Sequence, residues 1–519
     1  MTDRIEKADV PILTHRRVLL IIGALMLGML LAALDQTIVA TALPTIAGDL
    51  HGLSHLSWVV TGYLLAATVS TPLWGKLGDM YGRKIFFQSA IVIFLVGSAL
   101  SGLSGSMIEL IALRALQGLG AGGLMVGAQA IIGDVVPPRE RGKYQGIFGA
   151  VFGLSSVAGP LLGGFFVQNL SWHWIFYINL PLGAVALVVT TGALPSALKR
   201  VKHVIDYIGA IVLALGVTCL VLLTTLGGTT YPWGSAPIVI LAVLGGVLLT
   251  FFVLVERRAA EPILPLHLFR NRVFAATSAI GFIVGFSMFG AITYLPTYLQ
   301  VVRGASPTGS GLELLPLMAG LLVTSIGSGL LISRWGRYKI FPIMGTAVMI
   351  VGLFLFSLLG VSTSTLTISL FMVVLGLGLG GVMQVLVIAV QNAVPHSDLG
   401  VATSGATFFR SIGGSFGTAI FGAIFANVLT GNLARYLAGT KLPAGFNGAA
   451  GASPAALAKL PPAVHSGYIQ AVNASLHPVF LWAVPFAILA FAITWLLKEV
   501  PLRKTVHAPR AAVTQPAEL

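Results

Sequence analysis

Long apolar runs separated by short polar stretches occupy most of the chain. A helix that crosses the hydrocarbon core of a bilayer needs about 20 apolar residues at about 1.5 Å per residue. The pattern therefore predicts an all-α membrane protein with fourteen membrane-spanning helices. Eight lie at 17–43, 56–75, 84–103, 109–133, 143–167, 173–194, 205–226 and 236–256, and six more at 273–299, 308–333, 340–360, 365–390, 401–428 and 477–498.

The distribution of lysine and arginine predicts the orientation of these helices. If the N-terminus is cytoplasmic, 24 of the 30 basic residues fall in cytoplasmic segments. An excess of basic residues on the cytoplasmic side is typical of membrane proteins, and one helix too many or too few would invert every later loop. We therefore expect a multi-pass protein of the inner (plasma) membrane with both termini in the cytoplasm. We attribute the net charge of +14 to these cytoplasmic basic residues and not to nucleic-acid binding.

Composition agrees with a chain that is surrounded mainly by lipid. Hydrophobic residues make up 56% of the sequence and charged residues only 9%, whereas soluble domains average about 25% charged residues. The single cysteine, Cys219, excludes an intramolecular disulfide and a cysteine metal cluster. His51 and His55 have an i,i+4 spacing but lie in the first predicted outer loop without a supporting set of carboxylate ligands, so we expect no metal site there.

Two parts of the chain repeat each other. Gly75–Lys84 matches the segment that starts at Gly329 at an offset of 254, and the glycines from Gly118 match those from Gly376 at an offset of 258. Repeated halves around a site near the bilayer midplane are a transporter architecture. We predict a cytoplasmic tail (1–16), an N-terminal six-helix bundle (17–194), an inserted helix pair with linkers (195–272), a C-terminal six-helix bundle (273–498) with an outer loop (429–476), and a cytoplasmic tail (499–519).

Four ionisable residues stand out inside the predicted spans, away from their ends: Asp35, Arg114, Glu313 and Arg410. Such residues are costly in lipid and usually functional. Asp35 and Arg114 have comparable predicted depths, so they could form a pair in which the carboxyl group takes up and releases a proton. The alternative is a static ion pair between two helices. Glu313 fits either proton coupling or a solvated rim, and the sequence gives Arg410 no partner.

The glycine series around Gly118 also satisfies a dinucleotide-binding pattern. It lies inside a predicted span with no preceding strand, so close helix packing is the better interpretation. The sequence contains no GxxxxGK[ST] loop. We therefore expect no ATP site, no cofactor and no enzyme activity.

Five motifs resemble those of the fourteen-span branch of the drug:proton antiporters in the major facilitator superfamily. Leu34–Pro44 resembles the first-span signature of that branch, with Ala40 where asparagine is usual. Arg114–Gly120 resembles the span-four motif linked to proton transfer. Trp172–Gly183 resembles a span-six signature, with His173 where arginine is usual.

The other two motifs concern the gate and the direction of transport. The segment from Gly75 to Lys84 resembles the loop motif that latches the cytoplasmic gate. The glycines and the proline of span five resemble the antiporter motif, and the helix that carries them is expected to bend and to seal against the other half. The resemblance implies gate roles for Gly75, Asp79, Gly82, Arg83 and Lys84, and Asp134 would join Asp79 and Arg83 as the third charged residue of this cluster. It implies antiporter-motif roles for Gly153, Gly159, Pro160, Gly163 and Gly164.

Aromatic and polar residues in the spans are candidates for the substrate cavity, although aromatic side chains in helices more often serve packing. They are Trp58, Tyr63, Gln129, Phe148, Tyr294, Tyr298, Phe408, Phe409 and Arg410. Outside, the predicted loop 429–476 is rich in alanine, glycine and proline, and 463–475 could form a short interfacial helix. The loop could act as a lid or be disordered.

Taken with the resemblance, these features predict a monomeric proton-driven exporter of hydrophobic, often cationic drug-like compounds. A dedicated exporter of one endogenous metabolite or antibiotic is a second possibility. A membrane receptor that kept the fold and lost transport is a third.

Overall fold

The computed structural model describes residues 15–51, 55–194, 204–228, 230–440 and 460–502. Within them the chain forms fourteen long helices. These are α1 (His15–Asp49), α2 (Leu56–Tyr81), α3 (Arg83–Ser101), α4 (Met107–Val135), α5 (Pro138–Asn169), α6 (Asn179–Ala193), α7 (Tyr207–Leu226), α8 (Ala236–Glu256), α9 (Arg272–Ile292), α10 (Leu315–Trp335), α11 (Ile340–Phe356), α12 (Thr365–Ala393), α13 (Leu399–Tyr436) and α14 (Pro462–Leu496).

Twelve of these helices, some extended by adjoining turns, are long and apolar enough to cross a membrane. The two outside this set are α2, whose C-terminal part carries Lys76 and Asp79, and α11, an apolar helix of 17 residues. The protein is therefore a multi-pass, all-helical membrane protein. No β-strand is present in the described ranges. The predicted tails fall mostly outside these ranges, as do residues 195–203 of the first linker and 441–459 of the outer loop.

The predicted repeat is visible in how the helices pack. In the N-terminal half, α1 packs on α5 and α6, and α4 packs on α2 and α3. In the C-terminal half the equivalent contacts are α9 on α13 and α14, and α12 on α10 and α11. The caps repeat too, because Ser106 and Ser364 lie 258 residues apart and each side-chain oxygen accepts the N–H three residues on, at 3.2 Å.

The two halves meet through α2, α4 and α5 of the first and α10, α12 and α13 of the second. The inserted pair α7–α8 packs beside this junction. α7 contacts both α2 and α13, and its apolar residues share one core cluster with the linker before α9 and with α13, with side chains of α2 packed against it. The insert therefore contacts both halves.

Two local features differ from the sequence interpretation. We expected a short interfacial helix at 463–475 separate from the last span, but α14 runs without a break from Pro462 to Leu496 and contains Pro478 and Pro485. The expected single span at 273–299 is instead interrupted, because α9 ends at Ile292 and a π-helical turn follows at Tyr298–Val302. Pro296, next to this break, cannot donate a backbone hydrogen bond, which favours the interruption.

The chain after α14 folds back on the C-terminal half. Asn392 donates to the carbonyls of Val500 and Pro501 at 3.1 and 3.3 Å. The Tyr338 hydroxyl donates to the Lys498 carbonyl at 2.8 Å, and burial raises the pKa of Tyr338 to about 12, so the hydroxyl remains a donor at neutral pH. These bonds fix residues 498–501 against the ends of α10 and α12.

Candidate functional site

The predicted pair between α1 and α4 is present. Arg114 Nη1 lies 2.5 Å from Asp35 Oδ2, and both side chains are almost completely inaccessible to solvent, at 1% and 0% exposure. Because α1 and α4 pack side by side, the two residues face each other inside the N-terminal bundle. Removing either charge alone would leave the other buried and unpaired, which is costly in a membrane interior.

Two amide side chains complete the surroundings of the Asp35 carboxylate. Gln117 Nε2 donates to Asp35 Oδ1 at 2.8 Å, while its Oε1 accepts from Arg114 Nη1 at 2.7 Å. Asn179 Nδ2, at the start of α6, donates to the same Asp35 oxygen at 3.1 Å and to Ser98 Oγ of α3 at 3.0 Å. Four helices therefore supply the polar network around Asp35.

Aromatic rings cover the arginine. Arg114 Cζ lies 4.2 Å from the centre of the Tyr63 ring and 5.8 Å from that of Phe176, distances at which a cation is attracted to the face of an aromatic ring. The Tyr63 hydroxyl donates to the Ala32 carbonyl of α1 at 3.1 Å. Tyr63, proposed from sequence as a cavity residue, therefore contacts the ion pair.

The Asp35 carboxylate is enclosed by a guanidinium and two amide N–H groups and is shielded from solvent. Since Asp35 has no solvent exposure in this state, it can exchange a proton with water only after the surrounding helices move. Among the described residues, no group of histidine, cysteine, aspartate and glutamate could hold a metal ion.

The predicted gate motif lies between the two halves, at the C-terminal end of α2 and the N-terminal end of α13. Asp79 Oδ1 accepts the Gly400 N–H at 3.0 Å and Oδ2 accepts the Val401 N–H at 2.8 Å. A carboxylate at a helix N-terminus satisfies free backbone N–H groups and interacts favourably with the helix dipole. Asp79 thus fastens the N-terminal half to the first turn of α13.

Arg83 links the acids of this gate. It donates to Asp79 at 2.6 Å and to the Ala130 carbonyl at 2.8 Å, and it forms an ion pair with Asp134. His396, in the turn before α13, contacts Asp134 at 2.9 Å from the other half. The predicted membership of Asp134 therefore agrees with the geometry.

Lys84 differs from the rest of the motif. Its ammonium group donates to the carbonyls of Thr191 and Leu194 at 2.7 and 2.8 Å. It therefore stabilises the C-terminus of α6 within the same half and does not bridge the halves. A residue that the sequence did not select, Arg139, makes such a bridge by donating to the carbonyls of Ser333 and Arg334, each at 3.0 Å.

The structure explains why two positions of the motif are glycine. Gly82 has φ = 100° in the turn between α2 and α3, a backbone conformation that residues other than glycine rarely adopt. A Cβ on Gly75 would lie 2.6 Å from the Ser404 Cβ and 2.7 Å from the Gly400 carbonyl. Gly75 therefore permits the close approach of α2 to α13 at the gate.

The antiporter motif on α5 has two contact faces. Gly153 faces Leu322 of α10, and Pro160 faces Gly311, so these two residues contact the other half, as expected. Gly159 and Gly163 instead pack against Thr37 and Thr41 of α1, the helix that carries Asp35; Gly164 adjoins them. α5 therefore packs along α10 of the other half and also along α1 of its own half.

The remaining predicted site residues are dispersed. Glu313 ends the helical turn Pro307–Glu313 before α10, and no ion pair joins it to Asp35 or Arg114 in the described ranges. Arg410 packs its stem beside Gly281 and Gly285 of α9; within the same ranges, no hydrogen bond or ion pair of its guanidinium is found.

The predicted cavity residues fall into three groups. Phe148, Tyr298 and Phe408 are buried in packed apolar cores. Gln129 lies at the junction of the halves, where its carbonyl accepts from Gln391 at 2.9 Å. Those that remain partly exposed are Trp58, Tyr294 and Phe409. Their substrate role stays a prediction.

The sequence interpretation assigned no coupling role to Gln117, Asn179 or Ser98. Gln117 and Asn179 stand inside motifs that we quoted, but their common contact with Asp35 depends on helices 60 to 140 residues apart meeting in space. Ser98 is one small polar residue in an apolar run, and no sequence signal distinguishes it from others. Only the packing of α1, α3, α4 and α6 reveals the group.

Comparisons with known proteins agree with this architecture. The sequence profile of the Major Facilitator Superfamily matches residues 25–418. An uncharacterized MFS-type transporter of Mycobacterium tuberculosis is 49% identical over 496 residues, covering 96% of this chain and 72% of the relative. The multidrug transporter protein MdtP of Bacillus subtilis is 40% identical over 512 residues, covering 94% of each chain.

A solved structure with the same fold is that of the human organic anion transporter MFSD10. It superposes with a TM-score of 0.59 at 16% identity, covering 91% of this chain and 99% of that one. At this identity the likeness concerns the fold alone.

Proposed function

This chain belongs to the Major Facilitator Superfamily, and we propose that it is a proton-coupled antiporter that exports hydrophobic, often cationic compounds by alternating access. Membership makes it a transporter and not an enzyme. The observation that carries the proposal is the Asp35–Arg114 pair, an acid with no solvent exposure inside the N-terminal bundle. Such a group supports proton uptake on one side of the membrane and release on the other.

The state of the gate supports alternating access. Contacts that join the halves are concentrated at the cytoplasmic ends, where Asp79 binds α13 and Arg139 binds the end of α10. No such polar latch joins the outer ends of α1 and α9 in the described residues. The arrangement is that of a transporter closed towards the cytoplasm, from which protonation of Asp35 would favour return to the inward-facing state.

We further propose that all fourteen helices cross the inner membrane and that both termini are cytoplasmic. α2 and α11 are the helices in question, and each packs along a helix that meets the criteria for a span, α4 and α12 respectively. With both included, the basic loops fall on one side of the membrane. We also propose that the protein is a monomer and that its partners are lipid, protons and small-molecule substrates.

The decisive experiment is a drug-and-proton flux assay in proteoliposomes under an imposed pH gradient. We expect several chemically unrelated hydrophobic cations to move against their gradient while protons move in the opposite direction. The name of MdtP supports the choice of such a panel. Proton flux with only one compound of the cell's own metabolism would replace this proposal by a dedicated exporter, and an absence of any substrate-linked flux would indicate a non-transporting protein.

A further inference from the structure

The hydrogen bonds around Asp35 differ in whether they can survive protonation of its carboxyl group. When ionised, Asp35 Oδ1 accepts N–H groups from both Gln117 and Asn179. A protonated carboxyl oxygen becomes a donor, so a proton on Oδ1 would face two further donors. At least one amide must then present its oxygen instead.

Gln117 is not free to do so. Its Oε1 already accepts from Arg114 Nη1 at 2.7 Å. Turning this amide over would place its NH₂ group against the guanidinium, where both groups are donors. The ion pair therefore holds Gln117 in its donating orientation.

Asn179 has no such restraint. Its Nδ2 contacts Asp35 and Ser98, and its Oδ1 is buried without a hydrogen-bond partner in the described residues. The two ends of a carboxamide have nearly the same shape, so a half-turn about its terminal bond exchanges donor and acceptor without displacing neighbouring atoms. Because Asn179 Oδ1 has no hydrogen-bond partner, the turn breaks no bond of that oxygen.

Ser98 opposes this turn. The Ser98 hydroxyl hydrogen is donated to the Phe176 carbonyl at 2.8 Å, so Ser98 Oγ can only accept from Asn179. Ser98 therefore favours the orientation in which Asn179 donates to ionised Asp35. The charged or titratable side chains facing Asp35 are Arg114 of α4 and, behind it, Tyr63 of α2, while α5 and α6 present neutral groups.

From this geometry we propose that Asn179 is a positioning residue whose carboxamide turns over when Asp35 gains a proton, and that Ser98 sets the pH at which it turns. The inference rests on the proposed proton coupling. The proton arrives on Asp35 Oδ1, Asn179 Oδ1 accepts it in a hydrogen bond, and no covalent bond of the amide changes. The same proton leaves Asp35 when the site opens to the other side, and the amide turns back.

The first test removes the restraint. In Ser98→Ala the donating orientation of Asn179 loses one hydrogen bond, so the protonated form of Asp35 is favoured. We expect its titration midpoint to rise by roughly half a pH unit to one unit, the effect of one net hydrogen bond. The measurement is the carboxyl band in pH-induced infrared difference spectra of the purified protein in lipid, with the band assigned by its loss in Asp35→Asn.

The second test removes the amide. Asn179→Leu keeps the approximate size and can neither donate nor accept. We expect the protonated carboxyl band to move to higher frequency because it loses its acceptor, and drug-driven proton exchange to slow by about tenfold with the KM for drug unchanged within twofold, since both protonation states lose a hydrogen bond.

Thr190→Val is the matched control. Thr190 is buried on the same helix, and its hydroxyl bonds only to carbonyls of α6, at Ala186 and Leu187. It should leave the carboxyl band and its midpoint unchanged. If Ser98→Ala leaves the midpoint unchanged, or Asn179→Leu leaves the band frequency and the exchange rate unchanged, in a protein that exchanges drug for protons, the inference is overturned and the proposed function stands. If the unaltered protein exchanges no protons with any drug, the proposed function fails instead.

Discussion

A carboxylate without solvent contact exchanges protons only when its surroundings move, and Asp35 is such a carboxylate. The sequence could identify it because an acid in an apolar span is rare and costly. Arg114 could be paired with it because counting residues along two helices gives their depths. The amides of Gln117 and Asn179 could not be identified in this way, because a neutral side chain in a span gives no comparable signal.

Arg410 is the converse case, an arginine within a span that lacks an ion-pair partner in the described residues. A charged residue at the centre of a membrane helix costs up to about 3 kcal/mol on insertion scales. Arg410→Gln should therefore raise the melting temperature of the purified protein by a few degrees, and if the guanidinium serves substrate transport it should also lower the transport rate.

Thermal unfolding in detergent and flux in proteoliposomes measure these two effects separately. Arg435→Gln, in the last turn of the same helix, is the control and should leave both unchanged. A lower melting temperature for Arg410→Gln would show that the guanidinium stabilises the fold through contacts that outweigh its desolvation.

At the scale of helices, the gate motif was predictable as a group because its glycines and charges have a recognisable spacing. The individual contacts were not. Lys84 and Arg139 are both basic residues near the first turns of their helices, yet of the two only Arg139 contacts the other half in the described residues. The same holds for Gly159 and Gly163, which pack on α1, since the direction of a helix face depends on which neighbours surround it.

The latch between α2 and α13 leads to a prediction about the conformational equilibrium. Asp79→Asn removes the negative charge that interacts with Arg83 and with the N-terminus of α13. Hydrogen bonds to charged groups contribute roughly 1.5–3 kcal/mol, so the cytoplasmic side should open in a larger fraction of molecules.

Electron-spin distance measurements between labels at Tyr81→Cys and Ser397→Cys, in a Cys219→Ser background, report this opening. We expect the long-distance population to increase in Asp79→Asn. Ser333→Ala is the matched control at the repeated position, where the hydroxyl bonds only to Gly329 of its own helix at 2.9 Å. An unchanged distance distribution in Asp79→Asn would contradict the latch.

For the whole molecule, the repeat read from two short glycine-rich matches extends to most of the major helix contacts of the two halves, although α13 packs on α14 without a comparable contact between α5 and α6. The halves are not equivalent in chemistry. Asp79 and Asp134 correspond to Ser333 and Asn392, and Asn392 holds the chain after α14 through Val500 and Pro501. Sequence comparison revealed the loss of the acids but not their replacement by this contact, which involves residues more than 100 positions away.

The proposed fourteen crossings can be tested at the two helices that fall outside the twelve clear spans. In the Cys219→Ser background, cysteines at His51 and Ser362 should react with an impermeant thiol reagent only from outside the cell. Cysteines at Tyr81 and Arg337 should react only from the cytoplasmic side. These positions bracket α2 and α11, and labelling of both ends of either helix from one side would exclude that helix as a crossing.

The central claim is that Asp35 carries the exchanged proton. The most direct measurement uses everted membrane vesicles with an acidified lumen, in which added drug should release protons to the medium. We predict that Asp35→Asn abolishes drug-driven release, whereas Asp49→Asn, an exposed acid at the outer end of the same helix, retains it. Full drug-driven release by Asp35→Asn, at the rate of the unaltered protein, would contradict the account.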